Sequence, residues 1–343
     1  MTIQNLIPIS VVGLGSYSPG EPITNARLEE ILNIPVSTMM RFFGIDSRYF
    51  AVSPETGLPI EEGLNCLEMA ARASEAALRR AELDVASVDL IITATSTPDH
   101  ELPPFPFELQ KRLGIEQCQI LDIRGGCAAS MQGLKVAQAM LQAGQCECVL
   151  VCGADFVSDK FYSRLLHEED PQTEQVMNAA VFGDGAGAMI LQRQSDRKSG
   201  LVGLDIDFLN VTSRFTGLKT GFNLKHGTPV HDHRSMKVAL PHVVEVMRHE
   251  FLSHIGSVDN IDLLIVPQAN GALMELNQQH PLDAKQFYIG NETGNAPAAA
   301  IFRALDVALT RGLIVPGVTR VGMMALESAS WLYAIGLLQG GQK

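Results

Sequence analysis

The chain repeats itself at a spacing close to half its length, and this repeat restricts the possible folds more than any other feature. SVDLIITATS is echoed by NIDLLIVPQA, so that Asp89 and Asp262 lie 173 residues apart. GGCAASMQGLKVA is echoed by TGNAPAAAIFRALDVAL, which places Cys127 and Asn295 168 residues apart. Two similar offsets in 343 residues indicate a duplicated half. Chance similarity between α/β segments is the alternative at this point.

Apolar segments rich in β-branched residues recur along the chain and have the pattern of buried strands. They are ISVVGLG at 9–15, VDLIITATS at 88–96, QCQILDI at 117–123, CVLVCGAD at 148–155 and GAGAMILQ at 185–192. Helical patterns lie between them at 63–83 and 130–144. Alternating strands and helices predict an α/β architecture in which helices cover the sheets.

Charge and cysteine content exclude several functional classes. The chain has 26 Lys and Arg against 38 Asp and Glu, so a general role at nucleic acids or membrane surfaces lacks its electrostatic basis. MTIQNLIPIS has no signal-peptide pattern and no apolar run is long enough for a membrane helix, which predicts a cytoplasmic protein. The 6 cysteines fit free thiols in a reducing compartment. Because no second Cys/His pair at zinc spacing accompanies CEC, we predict no metal site.

Cys127 stands in the stretch LDIRGGCAASM, behind two glycines and ahead of small residues that open a helical pattern. The positive end of a helix dipole and its unpaired N–H groups favour a thiolate. The small neighbours would let a substrate approach the sulfur and let a backbone N–H bind a developing oxyanion. The local sequence therefore predicts a nucleophile, with a structural cysteine packed among small residues as the alternative.

Several segments together resemble the 3-oxoacyl-(acyl carrier protein) synthase III family of thiolase-fold condensing enzymes. LDIRGGCAASMQGLKVAQAML is similar to the family's segment with the acyl-accepting cysteine, and GNAPAAAIFRAL at 294–305 to the segment with its catalytic asparagine. VVGLGSYSPGEPITNARLEEI resembles its N-terminal strand and loop, TATSTPDHELPPFPFELQKRLGI at 93–115 its dimer-contacting stretch, and VFGDGAGAMIL at 181–191 its glycine-rich strand.

The resemblance implies a thiolase-like five-layered α/β/α/β/α sandwich built from two duplicated halves. The halves would be 1–175, carrying the nucleophilic Cys127, and 176–343, carrying the catalytic Asn295. It also implies a homodimer and acyl transfer through an acyl-Cys127 thioester. The substrates would be acyl-coenzyme A or acyl carrier protein thioesters, with no permanently bound cofactor.

The chain departs from the family pattern at two catalytic positions. The family's Pro-His-Gln-Ala-Asn stretch corresponds here to VPQAN, which supplies no histidine whether or not a gap is placed before Gln268. We expect Asn295, helped by Gln268, to retain part of the oxyanion stabilisation. The glycine-rich turn before Trp331 is replaced by Leu-Glu-Ser, which brings in Glu327 as the candidate general base for a hydroxyl or amine acceptor.

Two groups of basic residues are candidates for binding the substrate or its carrier. In STMMRFFGIDSRYF the family's adenine-clamping Trp and Arg are absent, and Arg41 is the neighbouring alternative. The stretch HDHRSMKVALPHVVEVMRHE resembles the carrier-protein docking helix and contains Arg234, Lys237 and Arg248. These cations could form the local basic patch that an acidic carrier requires, or be ordinary solvated helix charges.

The functional hypothesis is a ketoacyl synthase III-like acyltransferase of specialised fatty-acid or polyketide biosynthesis. It would load an acyl group on Cys127 and condense it with a malonyl- or 3-ketoacyl-type thioester. Acyl transfer to an alcohol or amine is one alternative, because acyl loading needs less of the missing machinery than carbon–carbon bond formation does. A non-catalytic partner subunit of a heteromeric synthase is another.

Overall fold

Strands and helices alternate through most of the chain in the computed structural model, which describes residues 7–41, 43–169, 171–193, 202–213, 222–225, 228–231, 233–269 and 280–340. The strands are β1 (Ile9–Tyr17), β2 (Ile23–Thr24), β3 (Ser47–Arg48), β4 (Leu90–Ala94), β5 (Gln119–Ile123), β6 (Cys148–Asp155), β7 (Gly185–Arg193), β8 (Leu204–Ser213), β9 (Phe222–Lys225), β10 (Thr228–His231), β11 (Leu263–Ile265), β12 (Gln286–Phe287), β13 (Val321–Glu327) and β14 (Leu332–Gly340).

The helices are α1 (Asn25–Leu32), α2 (Val36–Met40), α3 (Cys66–Ala81), α4 (Phe105–Leu113), α5 (Ala129–Gln142), α6 (Val157–Leu165), α7 (Thr173–Val181), α8 (His233–Ile255), α9 (Gly290–Thr293) and α10 (Ala300–Thr310). Short 3-10 turns lie at Val85–Ser87, Gly126–Ala128, Val258–Asn260 and Pro281–Lys285. The strands and helices predicted from the sequence patterns are all present.

The central sheet has the strand order β12-β11-β13-β14-β8-β1-β7-β6-β4-β5. The sheet divides into two sets of five strands, β1 with β4–β7 and β8 with β11–β14. When the strands of each set are numbered along the chain, both sets have the same order from the outer edge inwards: third, second, fourth, fifth, first. The echoed strands β4 and β11 are each the second strand of their set. The sets meet where β1 pairs with β8 through Ser10–Asp205 and Val11–Leu204. The duplication is thus confirmed at the level of topology. The division at residue 175 stays a prediction, and the strand order groups β7, which follows it, with the first set.

Side-chain alternation along the strands places separate cores on the two faces of each set. On β4, Leu90 and Ile92 join a cluster with α5 and α10, whereas Ile91 joins a cluster with α3 and α4. On β13, Met323 packs in the α5 and α10 cluster, and Met324 packs with α8. Three helical layers therefore enclose two sheet layers, which confirms the five-layered sandwich.

The middle helical layer positions the functional site, because α5 and α10 are the helices that follow the two echoed segments. Both helices lie between the two five-stranded sets of the central sheet, so the loops that precede them meet in the interior. Ser130 at the start of α5 donates a hydrogen bond to the carbonyl oxygen of Ala298, just before α10. This contact ties the two halves together next to Cys127 and Asn295.

Among the described residues we find no helix whose length and apolar character would let it cross a bilayer. Within the same residues, no group of three or more His, Cys, Asp or Glu side chains is placed to hold a metal ion.

Candidate active site

Cys127 lies in the 3-10 turn Gly126–Ala128, immediately before α5. Its thiol is free and partly buried. Gly126 has a φ of 53°, a left-handed conformation that glycine adopts without a Cβ clash. The turn therefore delivers the sulfur to the end of α5 that the sequence pattern predicted.

Asn295 reaches the same place from the second half of the chain. It lies between α9 and α10, where its backbone N–H donates to Val181 at 3.0 Å and its carbonyl accepts from Gly183 at 2.9 Å. Its side-chain Nδ2 lies 3.6 Å from Cys127 Sγ. Asn295 is only 2% exposed, and its Oδ1 has no hydrogen-bond partner within the described part of the chain. The amide is thus rigidly placed beside the sulfur.

Glu327, the last residue of β13, is the third residue of the site beside Cys127 and Asn295. Its Oε2 accepts a hydrogen bond from the backbone N–H of Cys127 at 2.7 Å, and its Oε1 accepts one from Ala329 at 2.7 Å. The residue is 8% exposed, and burial raises the pKa of its carboxyl above the ordinary glutamate value, opposed by the two backbone N–H donors. The carboxylate therefore accepts the hydrogen bond from the N–H group that an acyl oxyanion would use. Because its pKa is raised, it is also a stronger base than an exposed glutamate.

The thiol is harder to ionise than the sequence pattern predicts. Burial, and after it the negative charge of Glu327, raise the pKa of Cys127 well above its usual value, while the N–H donor of Asn295 lowers it. The expectation of a helix-end thiolate neglected this desolvation and the nearby carboxylate. Cys127 consequently needs a base in order to act as a nucleophile, and Glu327 is in place to supply it.

The backbone of Gly126 leaves space for the Glu327 carboxyl group. A Cβ at Gly126 would overlap Oε2 of Glu327. We expect Gly126→Ala to displace the carboxylate and to slow acylation of Cys127 by an amount similar to loss of the base, about 10²-fold or more. Acylation is followed by intact-protein mass.

Gly114 provides the matched control for this prediction. It also has a positive φ, 75°, but a Cβ there would meet no atom within 4 Å. Gly114→Ala should lower the free energy of unfolding by about 1 kcal/mol, because alanine adopts a positive φ less readily than glycine does. It should leave the rate of acylation unchanged. Equal acylation rates in the two variants would contradict the assigned role of the Gly126 contact.

Gln268 is not brought to the sulfur, in contrast to the sequence-based expectation. Its Nε2 donates to the carbonyls of Val266 at 2.6 Å and Phe287 at 3.2 Å. Its Oε1 accepts from the N–H groups of Ile289 at 2.8 Å and Gly290 at 3.2 Å. The amide is fully used in fixing the backbone around β11 and α9, so it has no donor left for an oxyanion.

Arg248 is also placed differently from the expectation of a surface docking residue. It lies on the inward face of α8 together with Val244, Met247 and Phe251, and it is 4% exposed. Its Nη2 lies 3.1 Å from Asp283 Oδ1. The helical spacing of these apolar neighbours shows why: position 248 falls within the buried stripe. An incoming carrier could not contact this guanidinium.

The other predicted cations are in different situations. Lys237 is exposed on α8, as a docking residue must be. The side chain of Arg234 lies outside the described part of the chain. Arg41 is exposed and does not line the cavity around Cys127.

A cavity of about 720 Å³ opens onto Cys127. Its lining is mostly apolar, and the described side chains that line it include no histidine, with Pro267 present after β11. Three cationic residues that the sequence analysis did not single out line it as well: Arg124, Lys160 and Arg164. Arg124 directly precedes the Gly-Gly-Cys motif, which is the signal that could have identified it.

Asp155, at the end of β6, is a buried residue that sequence reasoning also missed. Its Oδ2 accepts from the N–H of Ala298 at 2.6 Å, and its Oδ1 accepts from the N–H of Ser96 at 2.7 Å. Burial raises its pKa to about 6, against the effect of these donors. Asp155 therefore holds the loop of Asn295 against the loop after β4, and an aspartate ending a buried strand was the available signal.

Known proteins resemble the chain in both sequence and fold. Residues 121–207 match the family model for 3-oxoacyl-[acyl-carrier-protein (ACP)] synthase III. The beta-ketoacyl-[acyl-carrier-protein] synthase III of Ruegeria sp. (strain TM1040) is 31% identical over 322 residues, which cover 90% of this chain and 92% of that protein. The enzyme of the same name from Granulibacter bethesdensis is 30% identical over 321 residues, with the same two coverages of 90% and 92%.

Two solved structures are similar over nearly the whole chain. AbyA1, a tetronic acid condensing enzyme, superposes with a TM-score of 0.85 at 26% identity, covering 97% of this chain and all (100%) of that one. The 3-oxoacyl-[acyl-carrier-protein] synthase III from Aquifex aeolicus VF5 gives a TM-score of 0.80 at 25% identity, covering 96% and 99%. A duplicated thiolase-type sandwich with a cysteine and an asparagine meeting between its halves defines a condensing acyltransferase. This chain belongs to the beta-ketoacyl-[acyl-carrier-protein] synthase III family.

Proposed function

We propose that this acyltransferase forms an acyl-Cys127 thioester and condenses the acyl group with a carbon nucleophile, using Asn295 and Glu327 as its other catalytic residues. The placement of two groups, Asn295 and Glu327, at Cys127 carries the proposal. Asn295 Nδ2 lies 3.6 Å from Sγ, and Glu327 Oε2 lies 2.7 Å from the backbone nitrogen of Cys127. No metal or bound cofactor is needed for either half of this reaction.

Acyl loading uses Glu327 as the base. The carboxylate takes the proton of Cys127, and the thiolate attacks the donor thioester carbonyl. The donor C–S bond then breaks, and the Glu327 carboxylic acid gives the proton to the departing thiolate. The N–H of Cys127, once released by Glu327, is positioned to donate to the acyl carbonyl oxygen. Because burial keeps Cys127 protonated at neutral pH, this transfer substitutes for a permanently ionised thiol.

Asn295 stabilises the enolate of the acceptor. Its amide Nδ2 faces the space beside Sγ, where the acceptor carbonyl must lie for its carbon to reach the acyl group. We expect Asn295→Ala to slow condensation by about 10²–10³-fold, as loss of one oxyanion donor does. Loading of Cys127 should change much less, so intact mass and product formation measured on the same variant separate the two steps. An equal loss in both steps would contradict this role.

The donor is a thioester of coenzyme A or of an acyl carrier protein. Two features support this part of the proposal: an apolar cavity of about 720 Å³ that can hold an acyl chain, and cations at its lining. Arg124 and Lys160 have side chains that are 45% and 39% exposed, where the phosphate of a pantetheine arm or an acidic carrier surface can reach them. Lys237 is a further exposed cation, on α8, in a chain whose formal charge is −12. We place the enzyme in the cytoplasm, where such thioesters and free thiols coexist.

The protein is proposed to act as a homodimer through the edge formed by β5. This strand ends the central sheet, and the apolar side chains near it are exposed: Leu102 at 81%, Phe107 at 46% and Leu121 at 40%. An unpaired edge flanked by exposed apolar residues is a template for pairing with another strand. A second copy could extend the sheet by pairing with the same strand.

Leu121→Lys tests the dimer. We expect the wild-type protein to sediment as a dimer at micromolar concentration and the variant as a monomer, because a charge on the edge strand opposes pairing. Leu313→Lys is the matched control, since Leu313 has a similar exposure of 46% and lies after α10, outside β5. A wild-type monomer, or a variant that remains dimeric, would refute the proposed interface.

The overall proposal is tested by intact mass after incubation with acetyl-, hexanoyl- and dodecanoyl-coenzyme A. A covalent adduct of the acyl mass, located on Cys127 by peptide mapping, is the expected result. If none of these thioesters nor their carrier-protein counterparts acylates Cys127, the enzyme does not act through an acyl-cysteine. A non-catalytic partner subunit would then be the better account.

A further inference from the structure

We infer that the acceptor is a thioester without a free carboxylate whose methylene lies between two carbonyls, a 3-ketoacyl-type thioester, and that Glu327 removes the methylene proton. The inference rests on the function proposed above and specifies its acceptor. It distinguishes proton abstraction from the decarboxylation of a malonyl-type acceptor.

The charge at the sulfur disfavours a malonyl-type acceptor. Glu327 is 8% exposed and is held at Cys127 by hydrogen bonds to both of its oxygens. A malonyl group would bring a second carboxylate into this buried space, and two like charges in one site repel strongly. Of the three lining cations, Arg124 and Lys160 are paired with Asp122 at 3.1 Å and Asp159 at 3.0 Å, and Arg164 is exposed. The side chains of Arg124 and Lys160 are 45% and 39% exposed, so water and ions screen much of the charge that they could contribute at Glu327.

The donors at the sulfur fit an enolate that is already delocalised. Decarboxylation of a malonyl thioester leaves an enolate with one thioester oxygen to carry its charge, which is why such reactions need strong donors. Here the side-chain donor at Sγ is Asn295, Gln268 is committed to backbone groups, and the cavity lining includes no histidine among the described residues. A methylene between two carbonyls spreads the charge over two oxygens, and a single amide is then sufficient.

The same methylene is acidic enough for a carboxylate to deprotonate, and the site contains such a base. Glu327 already serves the loading half of the reaction, and proton abstraction from the acceptor would use the same base again in the condensation half. Decarboxylation needs no base in that half, because carbon dioxide rather than a proton departs. Glu327 is fixed by Cys127 and Ala329 at 2.7 Å each, and the missing Cβ of Gly126 leaves the space it fills. A base that is this well oriented is expected where a proton has to be moved.

The protons balance over the condensation without any co-reactant. The methylene C–H bond breaks, its proton forms an O–H bond on Glu327, and the electron pair moves onto the acceptor carbonyl oxygen opposite Asn295. The enolate carbon then attacks the acyl carbonyl, a C–C bond forms and the C–S bond to Cys127 breaks. The Cys127 thiolate takes the proton from Glu327, which restores the carboxylate and the thiol for the next cycle.

The test presents the acylated enzyme with small thioesters of both kinds. Enzyme loaded from hexanoyl-coenzyme A is mixed with acetoacetyl-N-acetylcysteamine, with malonyl-N-acetylcysteamine, or with ethanolamine as an alcohol and amine acceptor. Loss of the adduct is followed by intact mass, products by mass spectrometry, and carbon dioxide directly. We expect the acetoacetyl thioester to discharge the enzyme faster than the malonyl thioester by about tenfold or more, giving a product that retains every acceptor carbon.

Glu327→Gln provides the second arm, because glutamine has nearly the same shape and cannot accept the methylene proton. Loaded at alkaline pH and then returned to neutral pH, it should discharge to the acetoacetyl thioester more slowly by about 10²–10⁴-fold. Glu147→Gln is the control, since Glu147 is an exposed residue paired with Arg193 outside the cavity.

The outcomes separate the two levels of the proposal. Faster discharge by the malonyl thioester with release of carbon dioxide, or preferential discharge by ethanolamine, overturns the inferred acceptor and leaves acyl loading intact. Discharge to the acetoacetyl thioester that is as fast in Glu327→Gln as in the wild type overturns the role of the base. If Cys127 is not acylated at all, the proposed function fails, and the inference fails with it.

Discussion

Cys127→Ala is expected to abolish the covalent acyl adduct and to lower product formation by about 10⁴-fold or more, since a missing nucleophile removes the intermediate itself. Among the described residues, Cys127 presents its sulfur to the cavity 3.6 Å from Asn295 Nδ2. The side chain is partly buried, and the change to alanine removes a single atom, so the fold should be retained. Intact mass and product formation are measured on the same preparation.

Cys118→Ala is the appropriate control for this experiment. Cys118 is also a free, partly buried thiol, but it does not line the cavity. It should keep the full adduct and activity. An adduct that persists in Cys127→Ala, or that disappears in Cys118→Ala, would assign the nucleophile to another residue.

Glu327→Gln should slow acyl loading at neutral pH by about 10²–10⁴-fold and change its dependence on pH. A base acts in its deprotonated form, so loading by the wild-type enzyme should fall as pH falls through the pKa of Glu327. Burial raises that pKa, so the fall should begin at a higher pH than for an exposed glutamate. In the variant, loading must await direct ionisation of Cys127, whose pKa burial raises well above the usual value.

The pH profile separates a base from a merely structural residue. Glutamine can still accept a hydrogen bond from Cys127 or from Ala329, so a structural role would lower the rate equally at all pH values. We expect the variant instead to recover activity steadily towards alkaline pH. A parallel displacement of the two profiles would contradict proton transfer through Glu327.

The sequence predicted the framework of this protein because the framework is encoded locally. The continuous apolar run of β4 and the helical pattern of α3 depend on neighbours within a few positions, and both elements form as predicted. The echo between the two halves predicted a duplication, which the repeated strand order then confirmed, and it placed Cys127 and Asn295 as counterparts. Their separation in the fold, 3.6 Å between Nδ2 and Sγ, agrees with that expectation.

The expectations that differed from the structure concern the partners of single side chains. Arg248 was assigned to a surface patch on its charge, although Val244, Met247 and Phe251 already marked its helix face as buried. Gln268 was assigned to catalysis by its place in a motif. The backbone groups that occupy it, such as the N–H of Ile289, carry no sequence signature because every residue type except proline supplies them.

What the sequence determined by itself is the α/β framework, the duplication and the candidate nucleophile, since each follows from local periodicity or from a contiguous motif. Only the tertiary structure decided which side chains surround the sulfur. Glu327 lies 200 residues from Cys127 along the chain, yet its Oε2 accepts the cysteine N–H at 2.7 Å. Burial then sets the charge balance, raising the pKa of the thiol and of the carboxyl together. The desolvation of these two groups depends on how both halves of the chain pack around Cys127, and the order of residues along the chain does not show this packing.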